Sequence, residues 1–381
     1  MFPIPIALPR SKSIVIRCLI VHYLRTGALL PVFDDDPNDI KIVFNALQRI
    51  DSQKQNRVGE RCVIDVEDCG AAYRFLMALL AITPGRWLLT GTQRLLERPV
   101  LPLVNFLNLQ GANIQKTKTG WHIEGKELKV DNVEIDTTET SQFASAIMMV
   151  HGLGVTRYAQ KNRNPYICMT ETILQISCRD TINYIATLSD WSAAVFWLAN
   201  ALLKPDAHYL LKDLHFDKLQ GDAGIAPLFI DLGLTFTESE HGIEVKHITY
   251  IDIPKQQIDV ANTPDIAMIL ATLSVCYPFE LTLSGLKNLN LKESRRLDIM
   301  IDELSKYTTI NKLSSDAISV NKRTKELPKS FHFDSYNDHR FVMAWSLFKN
   351  FGTVSIENSD CIKKSYPSFA PLAGINSNLK S

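Results

Sequence analysis

The sequence is poor in whatever would tie a chain to nucleic acid, to a bilayer or to an oxidising compartment. Its 41 Lys and Arg are matched by 41 Asp and Glu, a formal net charge of +0, which argues against a basic surface built to read a phosphate backbone. No run is long and apolar enough to cross a membrane, and Met1-Phe2-Pro3-Ile4-Pro5 lacks the charged start and apolar core of an export signal. The seven cysteines (Cys18, Cys62, Cys69, Cys168, Cys178, Cys276, Cys361) are odd in number, scattered and free of Cys-x-x-Cys spacing. Neither a disulfide framework nor a zinc site is indicated. A reducing cytoplasm is the expected compartment, and any anion site has to be local. At 381 residues the chain is long for one core, so two domains are expected.

What the sequence does have is one arrangement, repeated. Ser335-Tyr336-Asn337-Asp338-His339-Arg340 stands directly ahead of the apolar Phe341 to Ala344. Asn337 or Asp338 can cap a helix there, with His339 and Arg340 in its first turn, where free backbone N–H groups and the positive end of the dipole favour an anion. A similar polar opening precedes Ile14 to Leu24 at Ser11-Lys12-Ser13. Others stand at Asp68 to Arg74 before Phe75, at Thr138 to Gln142 before Phe143, at Ser189 to Ser192 before Ala193, and at Asn262 to Asp265 before Ile266. Six such openings point to an internal repeat.

Second, amphipathic helices are expected over Asp39 to Ile50, Arg98 to Leu109, Ala226 to Leu234 and Ser294 to Lys306, with strands such as Trp87 to Thr90 and Phe279 to Leu283 between them. Helices and strands alternate throughout, an α/β (α+β) chain. If the first helices of the units lie parallel, their polar openings share a face and their cations converge. Such a face suits small polyanions.

Several motifs, in order along the chain, resemble the 5-enolpyruvylshikimate-3-phosphate synthase family. They are Leu8 to Ser13 with Arg17; Leu89-Thr90-Gly91 with Glu97-Arg98-Pro99; Ser141-Gln142; Asn164 to Ile167; Pro264 to Met268; Lys292 to Leu297; Asn337 to Arg340; and Lys364 to Pro367. The resemblance implies two domains, 12–188 and 1–11 plus 189–381, each of three repeated β/α units in the family's inside-out barrel, joined near Lys12 and Asp190. It also implies that substrate binding closes them.

The reaction it implies is transfer of the enolpyruvyl group of phosphoenolpyruvate to the 5-hydroxyl of shikimate 3-phosphate, by addition and then loss of phosphate. No metal or organic cofactor is implied, nor a nucleic-acid or membrane partner, and a monomer is expected. Two phosphates and two carboxylates in one pocket need compensating cations, for which the planar fork of Arg is suited. Ser13, Arg17, Thr140, Ser141, Gln142, Tyr166, Asn288 and Lys292 are implied for shikimate 3-phosphate. Asp68, Gly70, Arg98, Gln142, Arg296, Arg340 and Lys364 are implied for phosphoenolpyruvate. Lys12 bridges the two and helps with proton transfer, Asp265 acts as base on the hydroxyl and contacts shikimate 3-phosphate, Glu293 is the acid/base at the methylene carbon, and His339 supports the reacting centre.

The chain also departs from the family pattern. Arg10 replaces a usually small residue, Asp68 a usual Asn, Ala71 a usual Thr, Ile16 a usual Asn, Thr140 a usual Ser, and Arg163 a Ser that meets the shikimate phosphate. An ionised Asp68 only accepts hydrogen bonds and repels phosphoenolpyruvate. Only 23 residues separate Tyr166 from Asp190, so the third unit of the first domain is expected to be short, with an unpaired strand edge. These departures carry a second reading, a non-catalytic relative that binds shikimate 3-phosphate or a protein partner. The related transferase acting on UDP-N-acetylglucosamine is disfavoured, because it has Lys-Asn where this chain has Lys12-Ser13.

Overall fold

The computed structural model describes residues 2–55, 61–128, 133–151, 156–158, 164–181, 188–248, 251, 255–277 and 279–375. The chain divides into two compact units, Lys12–Ala186 and Met1–Ser11 with Thr187–Ser381. No described helix is long and apolar enough to cross a membrane.

The Lys12–Ala186 unit holds three helix pairs: Lys12–Thr26 with Asn38–Gln55, Gly70–Ile82 with Leu101–Leu109, and Gln142–His151 with Pro165–Gln175. The first helix of each pair is apolar on nearly every side. Gly70–Ile82, for example, buries every residue from Ala72 to Ala81, and a helix of that kind has to be surrounded. Accordingly Gln142–His151 packs on Gly70–Ile82, Pro165–Gln175 and Lys12–Thr26. Strand Cys62–Asp65 runs parallel to Gly85–Thr90, which pairs antiparallel with Trp121–Gly125, and Asn113–Lys116 forms the edge. A second sheet pairs Val133–Ile135 with Thr156–Tyr158 in parallel.

The other unit repeats the scheme three times. Its helix pairs are Trp191–Leu202 with Ala226–Asp231, Ala267–Cys276 with Arg296–Leu304, and His339–Ser346 with Phe369–Ala373. One sheet orders Ile4–Ile6, His208–Lys212, Gly242–His247 and Leu234–Ser239; a second orders Gln256–Asp259, Leu281–Ser284, Ala317–Val320 and Ile310–Lys312; the third pairs Ser330–Asp334 with Thr353–Glu357. Two-stranded sheets thus occur in both units. Each of Ala267–Cys276 and His339–Ser346 is buried along its whole length, and the two pack on each other.

The repeat extends to hairpin chemistry. Gly120 and Gly242 each have positive φ, and a β-carbon on either would stand 2.1 Å from a carbonyl of the neighbouring strand, Leu89 and Leu211 respectively. Only glycine fits such an approach.

Several expected boundaries move. The stretch Ala226 to Leu234, expected as one helix, stops at Asp231 because Gly233 turns at φ 104, and Leu234 opens a strand. Arg98 lies outside any helix, since Gln93–Leu96 ends before it and Leu101–Leu109 starts after it. In the segment expected to be short, the described chain after helix Pro165–Gln175 reaches Thr181. Residues 182–187 lie outside the described set.

Candidate active site

Within the Lys12–Ala186 unit the polar openings of the core helices lie together. Arg17 donates from Nε to Thr170 Oγ1 at 2.8 Å, from Nη1 to the Ser13 carbonyl at 2.7 Å and from Nη2 to Ser145 Oγ at 3.3 Å, and its Cζ is 5.0 Å from the centre of the Phe75 ring. All these partners are neutral. Among the described residues no carboxylate pairs with Arg17, and burial pushes its guanidinium down to about 10, against the opposing effects of Tyr166 and Cys18. A buried cation held only by neutral groups is electrostatically uncompensated, which suits it to receive an anion. Ser13 and Tyr166 are half-buried at the first turns of their helices, Tyr166 donating its N–H to the cap Asn164 at 3.0 Å. Thr140 Oγ1 accepts from Gln142 N at 3.2 Å, and the Ser141 carbonyl accepts from Ser145 N at 3.1 Å, so both fix the start of helix Gln142–His151.

Arg74 stitches the unit's middle. It donates to Gln142 Oε1 at 2.8 Å, to the Gly70 carbonyl at 3.2 Å and from two nitrogens to the Pro99 carbonyl at 3.0 and 2.8 Å. This holds Gly70, Gln142 and the Arg98-Pro99 turn in fixed relation. Arg98 is buried, and its guanidinium passes over Gly70. Asp68 is half-buried and does not cap helix Gly70–Ile82; Cys69 does, its Sγ accepting from Ala72 N at 3.4 Å. Lys12 Nζ meets Asp39 Oδ2 at 3.0 Å. Arg163 lies outside the described residues.

In the other unit a single guanidinium organises the charges. Arg296, almost wholly buried, donates from Nε to Asp338 Oδ2 at 2.7 Å and from Nη2 to Asp338 Oδ1 at 3.1 Å; Nη1 reaches Asp265 Oδ1 at 2.8 Å and Nη2 reaches Glu293 Oε2 at 2.9 Å. Burial lowers its proton affinity, but Asp338, Glu293 and Asp265 together raise it well above the ordinary range. Asp338 also caps helix His339–Ser346, accepting from Arg340 N at 3.0 Å, and takes Ser294 Oγ at 3.0 Å. Asn337 is not the cap.

Asp265 stands at the first turn leading into helix Ala267–Cys276. Besides Arg296 it accepts from Arg340 Nη2 at 3.1 Å and has Lys292 Nζ at 3.8 Å. Burial pushes its carboxyl up, but Arg340, Lys292 and Arg296 hold it well below the usual range. Lys364 Nζ lies 3.8 Å from Glu293 Oε1 and is buried. Arg340 Nε is buried without a hydrogen-bond partner among the described residues. His339 is buried with Nδ1 3.8 Å from Asp338 Oδ1. Asn288 is half-buried just ahead of the turn Leu289–Leu291 that delivers Lys292.

Each unit therefore assembles its own share of the expected residues. Lys12, Ser13, Arg17, Asp68, Gly70, Arg98, Thr140, Ser141, Gln142 and Tyr166 belong to one unit; Asp265, Asn288, Lys292, Glu293, Arg296, His339, Arg340 and Lys364 belong to the other. Sequence reasoning overlooked the residues that hold them. Arg74 and Asp338 were visible only as parts of motifs, and Asn290, whose Oδ1 accepts from Leu297 N at 3.0 Å and caps the Arg296 helix, carries no signal of its own. Asp222 was missed as well. It is buried, accepts from Ser192 Oγ, and is pushed up to about 7 by burial first, with Asp265 and Asp190 adding to the shift and Ser192 and Arg340 opposing it.

A family model described as EPSP synthase (3-phosphoshikimate 1-carboxyvinyltransferase) matches residues 40–177 and 181–372. The 3-phosphoshikimate 1-carboxyvinyltransferase of Bacteroides fragilis is 30% identical, with 96% of this chain and 93% of the relative covered. That of Buchnera aphidicola subsp. Cinara cedri is 27% identical, with 96% and 92% covered. In fold, the chain is similar to the EPSP synthase structure from Acinetobacter baumannii, with a TM-score of 0.67 at 18% identity over 98% of this chain and 95% of that one.

Proposed function

We infer how the charged clusters work from the fact that the chain belongs to the EPSP synthase (3-phosphoshikimate 1-carboxyvinyltransferase) family. It is a transferase of the shikimate pathway, moving the enolpyruvyl group of phosphoenolpyruvate to shikimate 3-phosphate with release of phosphate. The observation that carries the division of labour is that two carboxylates, Asp265 and Glu293, share the Arg296 guanidinium at 2.8 and 2.9 Å.

In this reading Asp265 takes the proton from the 5-hydroxyl as its oxygen bonds to C2 of phosphoenolpyruvate, while Glu293 delivers a proton to the methylene carbon. Elimination removes a proton from the new methyl group as the C2–O bond to phosphate breaks and phosphate leaves. Arg340, Lys292 and Arg296 stabilise the Asp265 anion and so weaken it as a base. Substrate phosphate and carboxylate groups arriving on those cations offset their pull, and the proton affinity of Asp265 rises toward what a general base needs. Binding and activation are one event.

Arg17, with neutral partners, is the ligand we assign to the phosphate of shikimate 3-phosphate, accompanied by Ser13, Thr140, Ser141, Gln142, Tyr166, Asn288 and Lys292. Arg98 over Gly70, Asp68, Gln142, Arg296, Arg340 and Lys364 are assigned to phosphoenolpyruvate. Lys12 is assigned to both substrates and His339 to the support of the reacting centre. We take the enzyme to be a cytoplasmic monomer.

Solvent deuterium tests the acid/base roles. With both substrates in D2O the wild type is expected to place deuterium on the methylene carbon, and Glu293→Gln to abolish this while the protein stays folded. Deuterium entry at the wild-type rate in Glu293→Gln removes the assignment.

A further inference from the structure

Lys12 opens helix Lys12–Thr26, and Asp39 sits in the first turn of helix Asn38–Gln55, which packs on it. The ammonium and carboxylate meet at 3.0 Å with side chains 15% and 4% exposed. Two features make this more than a fold-stabilising pair. Buried ion pairs contribute little net stability, since desolvating both charges offsets their attraction. In addition, the second carboxylate oxygen, Oδ1, is buried and takes no hydrogen bond among the described residues. A side chain kept only for structure would be expected to satisfy both oxygens. Asp39 stands in the first turn of its helix, where the positive end of the dipole favours an anion.

The need for such a residue follows from lysine itself. Its ammonium is a compact point charge on a flexible four-carbon stem, with none of the built-in orientation of an arginine fork. Arg17 is fixed by three acceptors in its own unit. For Lys12 to act at defined atoms of two substrates, something rigid has to hold Nζ, and the first turn of a second helix is rigid.

We propose that Asp39 is a positioning residue of the transfer reaction, fixing the Lys12 ammonium through Oδ2. The proposal rests on the role assigned to Lys12 in the proposed function. A mispositioned Lys12 retains its charge and much of its attraction for substrate anions, so the loss falls mainly on kcat and less on KM.

A double-mutant cycle tests it, using Lys12→Met, Asp39→Asn and the double variant, each checked for wild-type-like thermal unfolding. Asp39→Asn is expected to lower kcat on the order of 10–100-fold with a smaller change in KM. The double variant is expected to be no worse than Lys12→Met alone, because Asp39 acts only through Lys12. Losses that multiply in the double variant, or an unchanged kcat in Asp39→Asn, overturn the proposal. If Asp39→Asn does not fold, Asp39→Glu keeps the charge but moves the oxygens, and the same loss of kcat is expected from it; a wild-type kcat in Asp39→Glu overturns the proposal. A folded wild type without activity removes the functional reading and this proposal together. An active wild type with independent losses at the two positions removes this proposal alone.

Discussion

The guanidinium of Arg98 lies over Gly70, so closely that a β-carbon at residue 70 would stand 2.6 Å from Nη1 and 2.7 Å from Cζ. Gly70→Ala therefore forces Arg98 to move. The helix itself tolerates alanine at its first position, so folding is expected to be unaffected. The KM for phosphoenolpyruvate is expected to rise on the order of tenfold, equal to about 1.4 kcal/mol, with a smaller change for shikimate 3-phosphate. Steady-state kinetics with each substrate varied in turn checks this, and equal effects on both substrates would argue against the assignment of Arg98.

Arg296 holds three carboxylates, those of Asp265, Glu293 and Asp338. Arg296→Met leaves buried acids without their cation, and a loss of about 3–5 kcal/mol of stability is expected, along with activity. Urea unfolding measures it. A variant as stable as the wild type would show that the acids find other partners.

Arg17 should behave in the opposite way. Its partners are neutral and burial pushes its guanidinium down, so Arg17→Met is expected to keep or raise the unfolding temperature while abolishing the thermal shift produced by shikimate 3-phosphate. Ligand stabilisation follows occupancy of the native state. A normal shift in the variant would take Arg17 out of the site.

These contrasts show what a sequence reveals and what it hides. The helix openings were legible because capping is local: the helix after Ser335 to Arg340 read directly, although its cap stayed open between Asn337 and Asp338, and the polar opening Asp68 to Arg74 marked the helix that runs on through Phe75. The end of helix Ala226–Asp231 was misplaced because the apolar pattern runs on through Leu234 while Gly233 breaks the backbone. Asp265 and Arg296 came from their motifs, yet their pairing across 31 residues is tertiary. Asp39 read only as the start of a helix, and Asp222 not at all, since nothing near Gly221 in sequence announces that Ser192, Asp190 and Asp265 lie around it.

Asp222 yields a pH dependence. Burial pushes it up to about 7, above its unfolded value, so the folded state retains a proton that the unfolded state gives up. Stability then falls as pH rises from about 4 to about 7 and is flat in this contribution above that. Asp222→Asn removes the ionisation while keeping an oxygen to accept from Ser192 Oγ. Relative to the wild type, the variant is expected to gain up to a few kcal/mol between about pH 4 and pH 8, since each tenfold change in proton affinity between the folded and unfolded states is worth roughly 1.4 kcal/mol. Denaturant unfolding across that range checks it, and parallel curves would contradict it. Asp265, held low by Arg340, Lys292 and Arg296, acts in the other sense, its contribution being lost only as pH falls below the ordinary carboxylate range.

The most direct test of enolpyruvyl transfer is phosphate release by the purified, folded protein given shikimate 3-phosphate and phosphoenolpyruvate together, with each omitted in turn. Release that requires both substrates, and that disappears in Asp265→Asn, is the expected result. Folded protein that releases no phosphate with both present, or that releases it from phosphoenolpyruvate alone, would contradict enolpyruvyl transfer by these clusters.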